Sequence, residues 1–219
     1  MTRILLPLFA ALLLVACNPT SKPATTDNQG SSQTTAQESA TPKAAAPGET
    51  AGQVAATVPA GDDSNVVYLD TREGRIVIRL RPDLAPKHVE RIKTLVKRGF
   101  YDGIVFHRVI DGFMAQTGDP TGTGRGGSDL PDLKAEFSST PFERGTLGMA
   151  RAQSPDSANS QFFIMFTRYP SLDNEYTVFG EVVDGMDVVD KIKKGDSAAN
   201  GMVDNPDKII KMRMKSDAG

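Results

Sequence analysis

Phe106-His107-Arg108-Val109-Ile110-Asp111-Gly112-Phe113-Met114-Ala115-Gln116-Thr117-Gly118-Asp119 is the stretch on which the reading of this chain turns. It reads as two short strands, residues 105–109 and 113–116, separated by a turn. Strand alternation places Phe113 and Ala115 on one face and Met114 and Gln116 on the other. Arg108 to Gln116 carries a cation, an aromatic ring, a methionine and an amide within nine residues. Those side chains suit a binding site, or simply two strands and a turn.

Outward from this stretch the pattern is mostly strands. Val66-Val67-Tyr68-Leu69-Asp70-Thr71 and Arg75-Ile76-Val77-Ile78-Arg79-Leu80 flank Arg72-Glu73-Gly74, a hairpin with a short glycine turn. A helix follows from Pro86, with Val89, Ile92, Leu95 and Val96 at helical spacing. Pro86 suits its first position, Lys97 and Arg98 suit the negative end of the dipole, and Gly99 suits the exit. His88 is expected on the helix surface. Further strands fit residues 146–150, 161–166, 177–182 and 209–214, the last with Ile210, Met212 and Met214 on one face. A second helix fits residues 186–194, closed by Gly195. About eight strands and two helices predict a mainly β fold, a closed β-barrel with helices over its ends.

Composition removes several function classes. The chain has 219 residues, a net charge of −2, one cysteine, two histidines and no tryptophan. Near-neutral charge offers no bulk attraction for nucleic acid. One cysteine excludes an intramolecular disulfide, and with so few thiols and imidazoles a structural zinc site is not expected. Gly122-Thr123-Gly124-Arg125-Gly126-Gly127 matches G-x-G-x-x-G, but Ser128-Asp129-Leu130-Pro131-Asp132 opens no helix, so the run reads as a flexible surface loop. No G-x-S-x-G nucleophile motif occurs.

The N-terminal third has a different character. Met1-Thr2-Arg3 precedes an apolar run over residues 4–15, too short for a membrane span and suited to a secretory signal. Leu14-Val15-Ala16-Cys17 resembles the bacterial lipobox, in which the cysteine is lipidated and becomes the first mature residue. In Gram-negative lipoproteins an Asp after that cysteine marks inner-membrane retention, so Asn18 points to the outer membrane. Residues 18–63 are rich in Thr, Ser, Ala, Gln, Pro and Gly, with no aromatics. Such a segment buries too little to offset chain entropy and reads as a disordered tether, with a coil reach of roughly 35–40 Å. The expected organisation is a signal over 1–16, a lipidated cysteine and linker over 17–63, and one domain over 64–219.

The opening stretch, with Gly145-Thr146-Leu147-Gly148-Met149-Ala150-Arg151, Asn159-Ser160-Gln161-Phe162-Phe163-Ile164 and Leu172-Asp173-Asn174-Glu175-Tyr176-Thr177-Val178-Phe179-Gly180, resembles the signature blocks of the cyclophilin-type peptidyl-prolyl cis-trans isomerases. All four occur in family order, and the resemblance covers residues 66–216. It implies an eight-stranded antiparallel barrel with two end helices, usually monomeric and cofactor-free. It also implies the site. Arg108 is the catalytic cation, Phe113, Met114, Phe163 and Leu172 form a proline socket, and Gln116 hydrogen-bonds the peptide backbone. Gln161 and Ala150 line the groove, with backbone contacts near Arg151. Gly122 marks a neighbouring subsite, and Tyr176 closes the socket where many members have His. His107 is a packed histidine rather than a base.

Two departures carry expectations. Ser171 stands where cyclosporin-sensitive members have tryptophan, so weak cyclosporin binding is expected. Arg151 stands where many members have Asn. The implied partners are proline-containing polypeptides folding in the cell envelope. A groove that only binds such partners is the competing reading; it would not need Arg108. A hydrolase is disfavoured by the lack of a nucleophile–base pair.

Overall fold

The computed structural model describes residues 63–218. The expected signal over 1–16, Cys17 and nearly all of the expected linker lie outside the described residues. The hairpin forms as its sequence suggests: β1 (Val66–Thr71) pairs antiparallel with β2 (Gly74–Leu80), Thr71 opposite Gly74. Helix α1 (Pro86–Lys97) follows. Then come β3 (Arg108–Ile110), β4 (Met114–Thr117), β5 (Thr146–Met149), β6 (Phe162–Met165) and β7 (Val178–Asp184). Helix α2 (Met186–Lys191) and β8 (Lys211–Met214) complete the order. The strands make one antiparallel sheet in the order β3-β4-β6-β5-β7-β2-β1-β8.

The ladder does not close, which corrects the closed barrel. β3 and β8 are its two edges. Residues 105–107, expected in a strand, pair with the segment leading into β8 instead. Phe106 N donates to Asp207 O (2.9 Å), Val203 N to His107 O (3.1 Å) and Ile209 N to Ile104 O (2.9 Å). These bonds stitch the seam without a continuous register, because residues 201–209 run as turns and bends rather than a strand.

Two apolar clusters lie on opposite faces of the central strands. Phe162, Ile164 and Ala115 enter the main core with Phe106, Tyr101, Phe179 and the inner face of α1. Phe163, Met165 and Met114 enter a second cluster with Phe142 and Val178. The apolar run of β6 shows no alternation because both faces are covered. Side chains fill the space inside the curled sheet, so a ligand must use the outside.

Three local expectations change. Ile210 is 59 % exposed, because the chain bends there and inward alternation begins only with Met212 and Met214. Helix α2 stops at Lys191, where Ile192 turns to an extended conformation (ψ 129°). His88 is fully buried rather than on the helix surface. The N-cap, Ala85, offers no side-chain acceptor, and Glu136 from the long β4–β5 connection takes that role. Its carboxylate accepts from Lys87 N (3.1 Å) and His88 N (3.1 Å) and lies 2.6 Å from His88 Nδ1.

Burial pushes the His88 pKa down, against the pull of Glu136, and burial likewise lowers that of His107. With both pKa values lowered in the fold, the stabilisation they carry is complete above the unfolded pKa of 6.5 and is lost as pH falls below it. Each contributes a slope of up to about 1.4 kcal/mol per pH unit. Thermal unfolding between pH 7.5 and 5.5 is expected to show Tm falling on acidification, and His88→Gln to flatten the fall. An unchanged slope in that variant would contradict the lowered pKa of His88.

Candidate active site

The β3–β4 register sets the site. Arg108 lies opposite Gln116, so the two side chains meet on one face. Arg108 Nη1 donates to Gln116 Oε1 (3.2 Å). Gln116 Nε2 donates to Gln161 Oε1 (2.9 Å), and Gln161 Nε2 donates to Gly126 O (2.8 Å). This line of amides runs from the cation to the glycine-rich loop.

Arg108 is half-buried and has no carboxylate within ion-pair distance among the described residues. Its other bonds go to Asn200: Nε to the main-chain oxygen (3.0 Å) and Nη2 to Oδ1 (3.1 Å). A guanidinium has five N–H donors, and three are engaged here. Burial lowers its pKa, with Tyr176 opposing, yet a guanidinium keeps its proton at any working pH. The result is an uncompensated charge with two donors to spare.

Beside it opens a pocket of about 200 Å³ lined by Phe113, Met114, Ala150, Phe163, Leu172 and Tyr176, with Arg108, Gln116 and Arg151 on its walls. The expected alternation fails at Phe113. It sits in the turn after Gly112 (φ 67°), ahead of β4, and its ring joins the face of Met114 and Gln116. There it packs on Tyr169, ring centroids 4.4 Å apart. Phe163 forms the floor, stacked on Phe142 (5.7 Å) and edge-on to Tyr176 (5.8 Å). Gly148 permits that stack: a Cβ there would lie 2.5 Å from Phe163 and 2.6 Å from Phe142.

A second cavity of about 530 Å³ shares Gln116, Ala150 and Arg151 with the socket and continues along Gln161, Asn159 and the loop from Gly124 to Ser128. Gly122 lines neither cavity; it lies at the start of the loop, against Val105. The glycine run is no free surface loop. Asp119, 1 % exposed, accepts from Thr121 N (2.7 Å), Thr121 Oγ1 (2.8 Å) and Gly124 N (2.6 Å). Burial raises its pKa, but these donors outweigh burial and bring it down to about 2. The loop winds so closely that a Cβ on Gly126 would lie 2.1 Å from the carboxylate.

Arg151 brings more than its backbone. Its guanidinium lies 4.6 Å from the centre of the Tyr176 ring and donates to Glu175 O (3.0 Å) and Ala152 O (3.1 Å), bracing the wall between the cavities. His107 is buried and lines neither cavity. The groove thus pairs an apolar socket with a fixed cation and amide donors, and it carries no His beside a hydroxyl or thiol. It can bind an apolar ring and stabilise charge on atoms next to it; it is not built for nucleophilic attack.

Asn200 and Glu136 had no place in the sequence-based site. Asn200-Gly201 is a turn-forming dipeptide, the one visible signal; Glu136 sits in a long connection and had none.

The chain is similar to known proteins in both sequence and fold. The family model described as "Cyclophilin type peptidyl-prolyl cis-trans isomerase/CLD" matches residues 66–214. A probable peptidyl-prolyl cis-trans isomerase of Brucella suis biovar 1 is 58% identical over 172 residues, covering 74% of this chain and 88% of that protein. The peptidyl-prolyl cis-trans isomerase of Helicobacter pylori is 46% identical over 132 residues, covering 58% and 80%. Among solved structures, cyclophilin AquaCyp293 from Hirschia baltica superposes with a TM-score of 0.64 at 29% identity, covering 71% of this chain and 76% of that one. A Cryptosporidium parvum cyclophilin, crystallised in the presence of the dipeptide Ala-Pro, gives 0.63 at 30% identity, covering 68% and 98%.

Proposed function

The chain belongs to the cyclophilin-type peptidyl-prolyl cis-trans isomerases, and on that premise we propose that it accelerates X-Pro isomerisation in polypeptides folding in the cell envelope, by non-covalent stabilisation of the twisted prolyl amide. The observation that carries the mechanism is Arg108, a half-buried guanidinium with no carboxylate partner and two unused donors, fixed at the wall of an apolar socket.

Resonance resists rotation about the peptide C–N bond by about 18–20 kcal/mol. X-Pro bonds populate both isomers and exchange over tens to hundreds of seconds. Twisting the bond localises the lone pair on the prolyl nitrogen. A cation fixed near that nitrogen is attracted more strongly by the twisted amide than by either planar form, which is the condition for catalysis. Phe113, Met114, Phe163, Leu172 and Tyr176 take the prolyl ring, while Gln116 hydrogen-bonds the flanking backbone. Ala150, Arg151 and Gln161 guide the chain into the second cavity. An acceleration of about 10⁵ requires only about 7 kcal/mol, and no bond is made or broken.

Anchoring is a separate part of the reading. The Leu14-Val15-Ala16-Cys17 run supports lipidation at Cys17. The following 46 or so residues suit a tether holding a monomeric domain off a membrane, the outer one favoured by Asn18. Ser171 is exposed and brings no indole to the groove, in keeping with weak cyclosporin binding.

Exchange of an Ala-Pro-Phe-type peptide, followed by NMR line shapes, tests the activity. The expected result is faster exchange with the peptide chemically unchanged; cleavage products, or no acceleration, would sink the proposal. Cys17→Ala is expected to move the protein from the membrane to the soluble fraction. Unchanged fractionation would remove the lipid anchor and leave the isomerase reading intact.

A further inference from the structure

We propose that Asn200, on the connection between α2 and β8, is a positioning residue for the isomerisation, acting through Arg108. The inference rests on the reading of Arg108 given above. Asn200 lines neither cavity, yet it supplies two of the three bonds that hold the guanidinium, one from its main chain and one from its side chain.

The connection is built to bring it there. Asp196 accepts from Ala198 N (2.8 Å) and starts a single turn of helix over Ser197–Ala199. Asn200 then leaves that turn in the left-handed conformation (φ 55°, ψ 34°), which Asn tolerates well. Gly201 continues it at φ 78°, and its Cα packs so tightly on β3 that a Cβ would lie 2.4 Å from Ile110 Cγ1. Val109 N donates to Gly201 O (2.8 Å), Val203 N to His107 O (3.1 Å), and Gly195 N to Val109 O (2.9 Å). The connection is therefore clamped to both chain neighbours of Arg108.

The chemistry of the acceptors matters as much as their place. An arginine side chain has several rotatable bonds, and a single contact with Gln116 would leave its plane free to turn. Bonds at Nε, Nη1 and Nη2 fix that plane at three points. All three acceptors are neutral oxygens, so the guanidinium is held without cancelling its field. A carboxylate in the same position would hold it equally well and neutralise it.

The test uses kinetics and peptide affinity measured on the full chain. Asn200→Gly keeps the left-handed backbone and removes only the side-chain acceptor. Its kcat/KM is expected to fall about five- to tenfold with Ala-Pro peptide affinity within about twofold, since a misaligned cation is lost mainly in the transition state. In an Arg108→Ala background the same change is expected to add less than about twofold. Asn205, also left-handed at φ 50°, serves as the control, and Asn205→Gly should leave the rate unchanged. A wild-type rate in Asn200→Gly alongside a collapsed Arg108→Ala would overturn the role of Asn200 and spare that of Arg108. An equal loss in both backgrounds would mean a general structural effect and overturn it too. A wild-type rate in Arg108→Ala would instead remove the reading on which the inference stands.

Discussion

Arg108→Ala is expected to lower kcat/KM by about 10²–10³, the loss typical of removing one preorganised donor to developing charge. The fold should hardly notice. The side chain forms no ion pair and fills no core; its loss frees acceptors on Gln116 and Asn200 that solvent can reach. Arg108→Lys separates charge from geometry. An ammonium keeps the charge but cannot reach Asn200 and Gln116 together with a planar fork. It should recover part of the rate and remain about tenfold or more below wild type. A rate in Arg108→Ala within twofold of wild type would mean that the socket alone does the work, and the chain would then act chiefly as a binder of proline-containing segments.

Asp119→Ala should give the largest loss of stability, about 3 kcal/mol, or about 6–12 °C in Tm for a domain of this size. The carboxylate is almost inaccessible and takes bonds from Thr121 and Gly124, donors that an alanine would leave unmatched. Its pKa of about 2 lies below the ordinary 3.8. The sign follows. A depressed carboxyl contributes stability that is complete above the unfolded pKa and is lost as pH falls through the folded one. That share is about 2 kcal/mol. The difference in urea midpoint between wild type and Asp119→Ala should thus be constant above pH 5, narrow below pH 4, and lose the carboxylate's share below pH 2. A difference that ignores pH would contradict an ionised Asp119. Loss of the loop should also weaken longer peptides that reach the second cavity more than short ones confined to the socket.

What the residues disclosed on their own was mostly local. β1, β2 and α1 were legible because their turn residues, their helix-end signals Pro86 and Gly99, and their periodicity are all local. The opening stretch announced two strands and a cluster of unlike side chains, though the first strand starts at Arg108 rather than Val105. Family resemblance, rather than composition, turned that cluster into a site. What stayed hidden depends on partners far along the chain. His88 is buried because Glu136, 48 residues away, caps its helix. Phe113 joins the face of Met114 because Gly112 turns the chain before the strand begins, which alternation alone cannot express. The sheet stays open because residues 201–209 meet residues 103–109 as a bent segment. The partner of Arg108 at Asn200 is 92 residues away and was invisible for the same reason.

That unclosed seam bears on how the molecule fails. Hydrogen bonds between bent segments lack the mutual support of a full ladder, so this strip is expected to open ahead of the central strands. Arg108 starts the strand on one lip of the seam, and Asn200 stands on the other. Local opening there would release the guanidinium while the aromatic floor, where Phe163 stacks on Phe142, is still in place. On gentle warming, turnover should fade before the core melts, with amide exchange in residues 103–109 and 201–209 marking the interval.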